Sequence, residues 1–170
     1  LQYLNYKKID FLYYTNYPQE KQLKILKTII EKNKNSRFGI IHDFNTIKTP
    51  YDYIKNVPIN NYEELKEYID DCKKGLKNSI IEKSVIFYAI TSGTTSYPKY
   101  IPHTKDYIKY LNKGWKVWFD TLFNDYPQTM SLFGGLISFN SKPFKGKTKS
   151  GTYYGNVSGL LHYIQPRFIK

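Results

Sequence analysis

SVIFYAITSGTTSYPKYIPHT, residues 84–104, decides how the rest of the chain is read. Ser84 to Ile90 is a continuous β-branched and aromatic run flanked by polar residues, the pattern of a strand buried on both faces. Directly after it, hydroxyls crowd around Gly93 and the stretch closes on Pro98–Lys99. A strand feeding a Gly/Ser/Thr loop brings backbone N–H groups and hydroxyls to one concave point, which is how proteins cradle phosphate without a dedicated cage. Ser92, Thr94 and Thr95 offer hydroxyls, Gly93 permits close backbone approach, and Lys99 adds a mobile positive charge. Pro98 stiffens the exit. Taken alone such a segment is more often an ordinary turn. Its place behind a buried strand and ahead of an ordered lysine favours the phosphate reading.

Downstream, 99–102 reads as a brief extended piece, and Pro102 and Thr104 head a long helix over roughly 104–125. One face of that helix carries Tyr107, Ile108, Leu111, Trp115, Trp118, Phe119, Leu122 and Phe123, a stripe that normally belongs to a core. Lys105, Lys109, Lys113 and Lys116 mark a solvated face. Residues 129–139 predict a second strand, with Gly134–Gly135 as a bulge or close-approach point. A basic loop follows, and 155–164 reads as a short helix. Upstream, Pro18 and the Leu23, Leu26, Ile29, Ile30 stripe predict a helix over 18–36. Residues 37–47 are mixed, with turn signals at Gly39 and Asp43–Asn45, and 50–56 is a short helix. The clearest small helix lies in 57–75, capped by Asn60 or Asn61 and ended by Gly75. Tyr62, Leu65, Tyr68, Ile69 and Cys72 share its buried face, so Cys72 reads as a core thiol.

The bulk numbers narrow the classes. A chain of 170 residues is one domain by length, and 41% hydrophobic residues exclude a disordered tail. No apolar run approaches the roughly 18–20 residues that span a bilayer. The N-terminus has no signal-peptide cleavage pattern, and the one cysteine excludes a disulfide framework. A cytoplasmic location is expected. The net charge of +12 invites a nucleic-acid reading, but only Arg37 and Arg167 among the 26 basic residues are arginine. Arginine is the usual reader of guanine and phosphate, and lysine here is spread along the whole chain. Neither nucleic acid nor membrane is therefore an expected partner. The chain opens on Leu1 and stops at PRFIK, which reads as a piece of something longer.

Three competing motifs fail. Gly146–Lys147–Thr148 matches the end of a Walker A loop, but Ser141 stands where that pattern needs glycine. Ser158 sits in GNVSG, which is no nucleophile elbow. His42, His103 and His162 are too isolated for a metal site, and His103, close to the loop, reads as a surface histidine.

TSGTTSYPKYIPHT (91–104) resembles the nucleotide-phosphate loop of the adenylate-forming enzymes, and within them the plant auxin-responsive "Gretchen Hagen" family of acyl-acid amido synthetases. RFGIIHDFNTIKTPYDYIKNVPINNYEELKEYIDDCKKG (37–75) is similar to the segment that precedes the loop there, including its V-P-I and Y-E-E-L-K pieces. GKTKSGTYYGNVSGLL (146–161) resembles the later segment leading into a V-S-G turn. The three matches run in order and cover roughly residues 20–165. Ser96 stands where relatives often have glycine.

The resemblance implies an α/β fold: the N-terminal portion of the large domain of an adenylate-forming enzyme, an incomplete mixed sheet with flanking helices. Residues 1–170 would form a single partial domain, the C-terminal domain being absent. It implies ATP and Mg2+ as cofactors and a carboxylic acid and an amino acid as partners. The acid attacks the α-phosphate, pyrophosphate leaves, and the acyl group passes to the amine. Ser92, Gly93, Thr94, Thr95 and Lys99 would hold the β/γ-phosphates, and Trp118 and Phe119 would line the acyl pocket. Catalytic residues and metal ligands are not assigned, because the adenine, ribose and magnesium pieces of that family lie further along. The chain alone is then expected to be inactive. Two alternatives stand beside this reading: an adenylating enzyme that delivers to a thiol, and a truncated paralogue acting as a binding module.

Overall fold

The computed structural model describes residues 11–91, 97–129 and 141–164, with side chains in the last segment through Leu160. The predicted strand 129–139 and its Gly134–Gly135 pair lie outside the described residues, apart from Thr129.

The N-terminal third is built from short helices that start and stop on local signals. Helix α1 (Pro18–Asn33) opens with proline in its first turn, where the missing N–H costs nothing. It gives way three residues later to α2 (Arg37–Ile41), whose N-cap, the fully buried Ser36, joins the two. Its hydroxyl donates to the Asn33 carbonyl at 2.7 Å and accepts from the Gly39 N–H at 3.0 Å. A Cβ on Gly39 would collide with that same Asn33 carbonyl, so only glycine allows this approach. After a 3-10 turn (Phe44–Thr46), α3 (Pro50–Asn56) begins with a capping box between Thr49 and Asp52. Ile30, Phe44, Ile47 and Val57 close a small core between these elements.

Helix α4 (Tyr62–Lys74) is capped by Asn61, which accepts from the N–H groups of Glu63 and Glu64, while Glu64 reaches back to the Asn61 N–H. Gly75 ends it with a left-handed φ of 95°. The alternatives for the cap resolve on Asn61, and Ile69 is its deepest residue at 3% exposure.

Four strands form a mixed sheet among the described residues, in the order β2–β1–β4–β3. They are β1 (Val85–Ile90), β2 (Tyr100–Thr104), β3 (Gly146–Lys147) and β4 (Tyr153–Gly155). The central β1 pairs antiparallel with β2 and parallel with β4. Pro102 is tolerated because β2 lies at the edge of the sheet formed by the described residues, where a missing N–H leaves no ladder bond among them unmade. Side-chain alternation gives the sheet two unlike faces. Phe87 and Ala89 form one, packed with Leu160, Ile108 and Phe144. Tyr88, fully buried, lies on the other, with Tyr100 and Tyr154 forming an edge-to-face row beside it. Gly155 is required in β4, since a Cβ there would run into the Pro143 carbonyl.

Helix α5 (Lys105–Asp125) follows β2 directly, capped by Thr104, and α6 (Val157–Ile164) follows β4. Both are the helices the sequence predicts. The first turn of α5 is tied to α1 by a Lys32–Asp106 ion pair at 2.7 Å, and Ile108 packs on the sheet. Further along, the aromatic stripe is not covered by any of the described residues. Trp115 is 37% and Trp118 51% exposed, and the one buried residue of the helix is Asp120. The stripe's periodicity reports amphipathicity, and these described elements leave that face uncovered.

Candidate functional site

The hydroxyl-rich loop leaves the C-terminal end of β1 and re-enters the sheet as β2. Its two ends are brought together by the ladder pair Ile90 and Tyr100, and the Thr91 N–H donates to the Lys99 carbonyl at 3.2 Å. Thr91 and Lys99 are thereby held together at the root of the β1–β2 hairpin. Ser92, Gly93, Thr94 and Thr95 themselves lie outside the described residues.

Lys99 is described, and the structure holds it at the root of the loop. Its Nζ lies 5.5 Å from the centre of the Tyr62 ring, within the range where a cation is attracted to an aromatic face. The Tyr62 hydroxyl accepts the Tyr100 N–H at 2.8 Å. Tyr62, the first residue of α4, thus pins the loop's exit with its hydroxyl and steadies Lys99 with its ring. Sequence reasoning places Tyr62 only on a buried face. Nothing in its neighbours signals a bond to a residue 38 positions away.

His103 is corrected by the structure. It is buried, 4% exposed, and not at the surface as its nearness to a polar loop suggests. It faces inward from β2 beside Phe87, with ring centres 6.2 Å apart, and meets Tyr107 edge-on at 4.3 Å. Its Nδ1 lies 2.8 Å from the Ile101 carbonyl. Burial holds its pKa below the ordinary 6.5, with that backbone contact opposing. A neutral ring with Nδ1–H donating to Ile101 satisfies this geometry.

Trp118 and Phe119 meet edge to face at 4.7 Å, and Phe119 continues the row to Phe123 at 5.8 Å. They begin 13 residues into α5, about 20 Å along its axis from the Thr104 cap. Neither residue lines either of two clefts on the described surface. One of these, about 810 Å³, runs along α1 beside Phe44 and Ile47. The other, about 360 Å³, lies between the end of α4 and the turn after β3. Cys72 is half-buried, and burial pushes its thiol above the ordinary value, which makes it an unreactive packing group. No three of the described His, Cys, Asp and Glu residues converge as a metal site. No helix among them is long and apolar enough to cross a membrane.

The sequence matches the GH3 family N-terminal domain over residues 7–168. Two solved structures share the fold. One, titled "AtGH3.15 acyl acid amido synthetase in complex with 2,4-DB", superposes with a TM-score of 0.66 at 23% identity, covering 84% of this chain and 26% of that one. The other, "GH3.15 acyl acid amido synthetase", gives a TM-score of 0.68 at 21% identity, covering 82% and 25%. The chain therefore spans about a quarter of the length of the structures it matches. No curated protein matches by sequence.

Proposed function

This chain belongs to the GH3 family, and from that membership we propose that it supplies the nucleotide-phosphate loop of an ATP-dependent acyl acid amido synthetase acting in the cytoplasm. The carrying observation is the hairpin root. A loop rich in hydroxyls is closed by the Thr91–Lys99 bond at the end of a buried central strand, with Lys99 beside Tyr62. In the reaction a carboxylate oxygen bonds to the α-phosphorus of ATP and the bond to the bridging oxygen breaks, so negative charge moves onto the departing pyrophosphate. Fixed N–H, hydroxyl and ammonium donors around that charge lower the barrier. Ser92, Gly93, Thr94, Thr95 and Lys99 are the groups of this chain suited to that task. The amine of an amino acid then displaces AMP from the acyl adenylate to form the amide.

The rigid exit matters for this reading. A lysine held against an aromatic ring keeps its charge near the loop without an ion pair that would neutralise it. No residue here is assigned to magnesium, since the described carboxylates do not gather. Trp118, which is exposed, and Phe119, which is half-buried, remain candidates for the acid's pocket on their aromatic character alone. The amino acid is the proposed acceptor, and transfer to a thiol is the reading against which it is tested.

ATP–pyrophosphate exchange in the protein as its source cell makes it, across a panel of aryl and alkyl carboxylic acids, tests the proposal. Thr95→Ala should lower exchange by about 10²-fold, the cost typical of one lost donor at a developing charge, with the thermal melt unchanged. Exchange at the wild-type rate would remove the loop from the mechanism. Comparing amino acids with a thiol acceptor in the second step separates amide from thioester formation.

A further inference from the structure

We propose that the 360 Å³ cleft between the last turn of α4 and the turn after β3 is a separate anion site for linked phosphates, inorganic pyrophosphate or the triphosphate tail of a nucleotide. This does not rest on the reading of the hydroxyl-rich loop.

Charge is the first argument. Lys73, Lys74, Lys147 and Lys149 line the cleft against a single carboxylate, Asp70. Lys73 is paired with Asp70 at 2.9 Å, and Lys74 with Asp71, just behind the wall, at 3.3 Å. Even with both aspartates counted, two cations are in excess. Lys147 stands over the Tyr153 ring at 4.6 Å, which leaves its charge uncancelled, and Lys149 makes no ion pair among the described residues. Lysine pairs at a helix C-terminus have an ordinary explanation in the helix dipole. That accounts for Lys73 and Lys74 but not for the two lysines brought to face them from the far side of the sheet.

Shape and rigidity are the second argument. Ring walls from Tyr100 and Tyr154 exclude water from one side, which concentrates the field of the lysines inside the concavity. The turn that carries Lys147 and Lys149 is already fixed. The Ser150 N–H donates to the Lys73 carbonyl at 3.1 Å, joining the two walls. The Thr148 N–H donates to Thr152 and the Gly151 N–H to Thr148, both at 2.9 Å. Gly75 and Gly151, with φ of 95° and 84°, permit the two tight turns that let these walls meet. Binding therefore need not order the backbone, which leaves only the lysine side chains to be ordered. Compact, multiply charged phosphate chains fit this arrangement better than a single carboxylate, which two of the lysines would already satisfy.

The test is isothermal titration of the purified protein with sodium pyrophosphate at low salt, repeated with ATP and with AMP. Wild type should bind pyrophosphate with strong salt dependence. Lys147→Gln/Lys149→Gln together should weaken it by about tenfold or more, and Lys149→Gln alone by severalfold, because each removes an unpaired charge at contact distance. Both side chains are exposed, so melting temperature should hold. Lys24→Gln/Lys27→Gln on α1 removes the same charge elsewhere and should change nothing. Displacement of pyrophosphate by ATP but not AMP identifies a nucleotide tail as the occupant; failure of ATP to displace it identifies the free anion. The proposal is overturned if pyrophosphate does not bind, or if the α1 pair weakens it equally. It is also overturned if Thr95→Ala abolishes binding while Lys147→Gln/Lys149→Gln does not. That last pattern would put the anion in the loop, leaving the proposed function standing and this site gone.

Discussion

The two faces of the sheet share the strands β1 and β2 yet solve opposite problems. On one, Phe87, Ala89 and His103 pack dry against Leu160, Ile108 and Phe144, and even the histidine is held neutral. On the other, Tyr88, Tyr100 and Tyr154 put phenol groups under α4, with Lys73 4.1 Å above the Tyr100 ring and a basic cleft at the edge. Burial raises the Tyr88 and Tyr100 phenols above their ordinary values. The dry face holds the sheet together. The tyrosine face accepts polar groups at some cost in stability, and both the loop's exit and the cleft are built against it.

Truncation on the dry face should produce the largest loss. Phe87 is 2% exposed, with Phe144 at 6.3 Å and His103 at 6.2 Å around it. Phe87→Ala is expected to cost about 3–5 kcal/mol from lost burial and the cavity left behind. Urea unfolding checks this, and a cost under about 1 kcal/mol would mean the face is not a core at all.

The same operation one residue along should have the opposite sign. The Tyr88 hydroxyl is buried without a hydrogen-bond partner among the described residues. Such a group pays its desolvation and recovers nothing, a penalty of about 1–3 kcal/mol. Tyr88→Phe removes the hydroxyl and keeps the ring, so the protein should gain about 1 kcal/mol. A loss of similar size would show that the hydroxyl is satisfied in solution, and the contrast between the faces would be weaker than drawn.

How much of this contrast the sequence carries depends on the range of the interaction. The cap at Asn61, the stop at Gly75 and the strand at Val85–Ile90 are written in three or four adjacent residues, and each forms where expected. The placement of the hydroxyl-rich stretch directly after that strand is legible as well. The partners are not legible. Tyr88 meets Tyr154, and Tyr62 meets Tyr100, through a fold whose register no local pattern encodes. Trp115 and Trp118 mislead for a related reason: helical spacing reveals a face but not whether anything in the same stretch covers it. His103 misleads because a polar loop four residues away suggests solvent. Two-residue alternation puts His103 on the same face as Ile101, which is 40% exposed, so the strand pattern gives no warning that the histidine is buried.

His103 also gives the smallest and most specific test of the dry face. Its folded pKa lies below 6.5 because burial disfavours the charged ring. In the unfolded chain the ring takes a proton near 6.5, so between the two values the unfolded state binds more protons than the folded one. Stability therefore rises with pH across that window and is lost as pH falls through about 6.5 towards the folded value. One proton limits the slope to about 1.4 kcal/mol per pH unit, and just below 6.5 it is a fraction of that. Above 7.5 the term should vanish. His103→Gln abolishes the titration at this site, so the difference in unfolding free energy between wild type and variant should shift in the variant's favour between pH 7.5 and 5.5. Parallel stability curves over that range would mean that water reaches the ring, and that the face read here as dry is open at its edge strand.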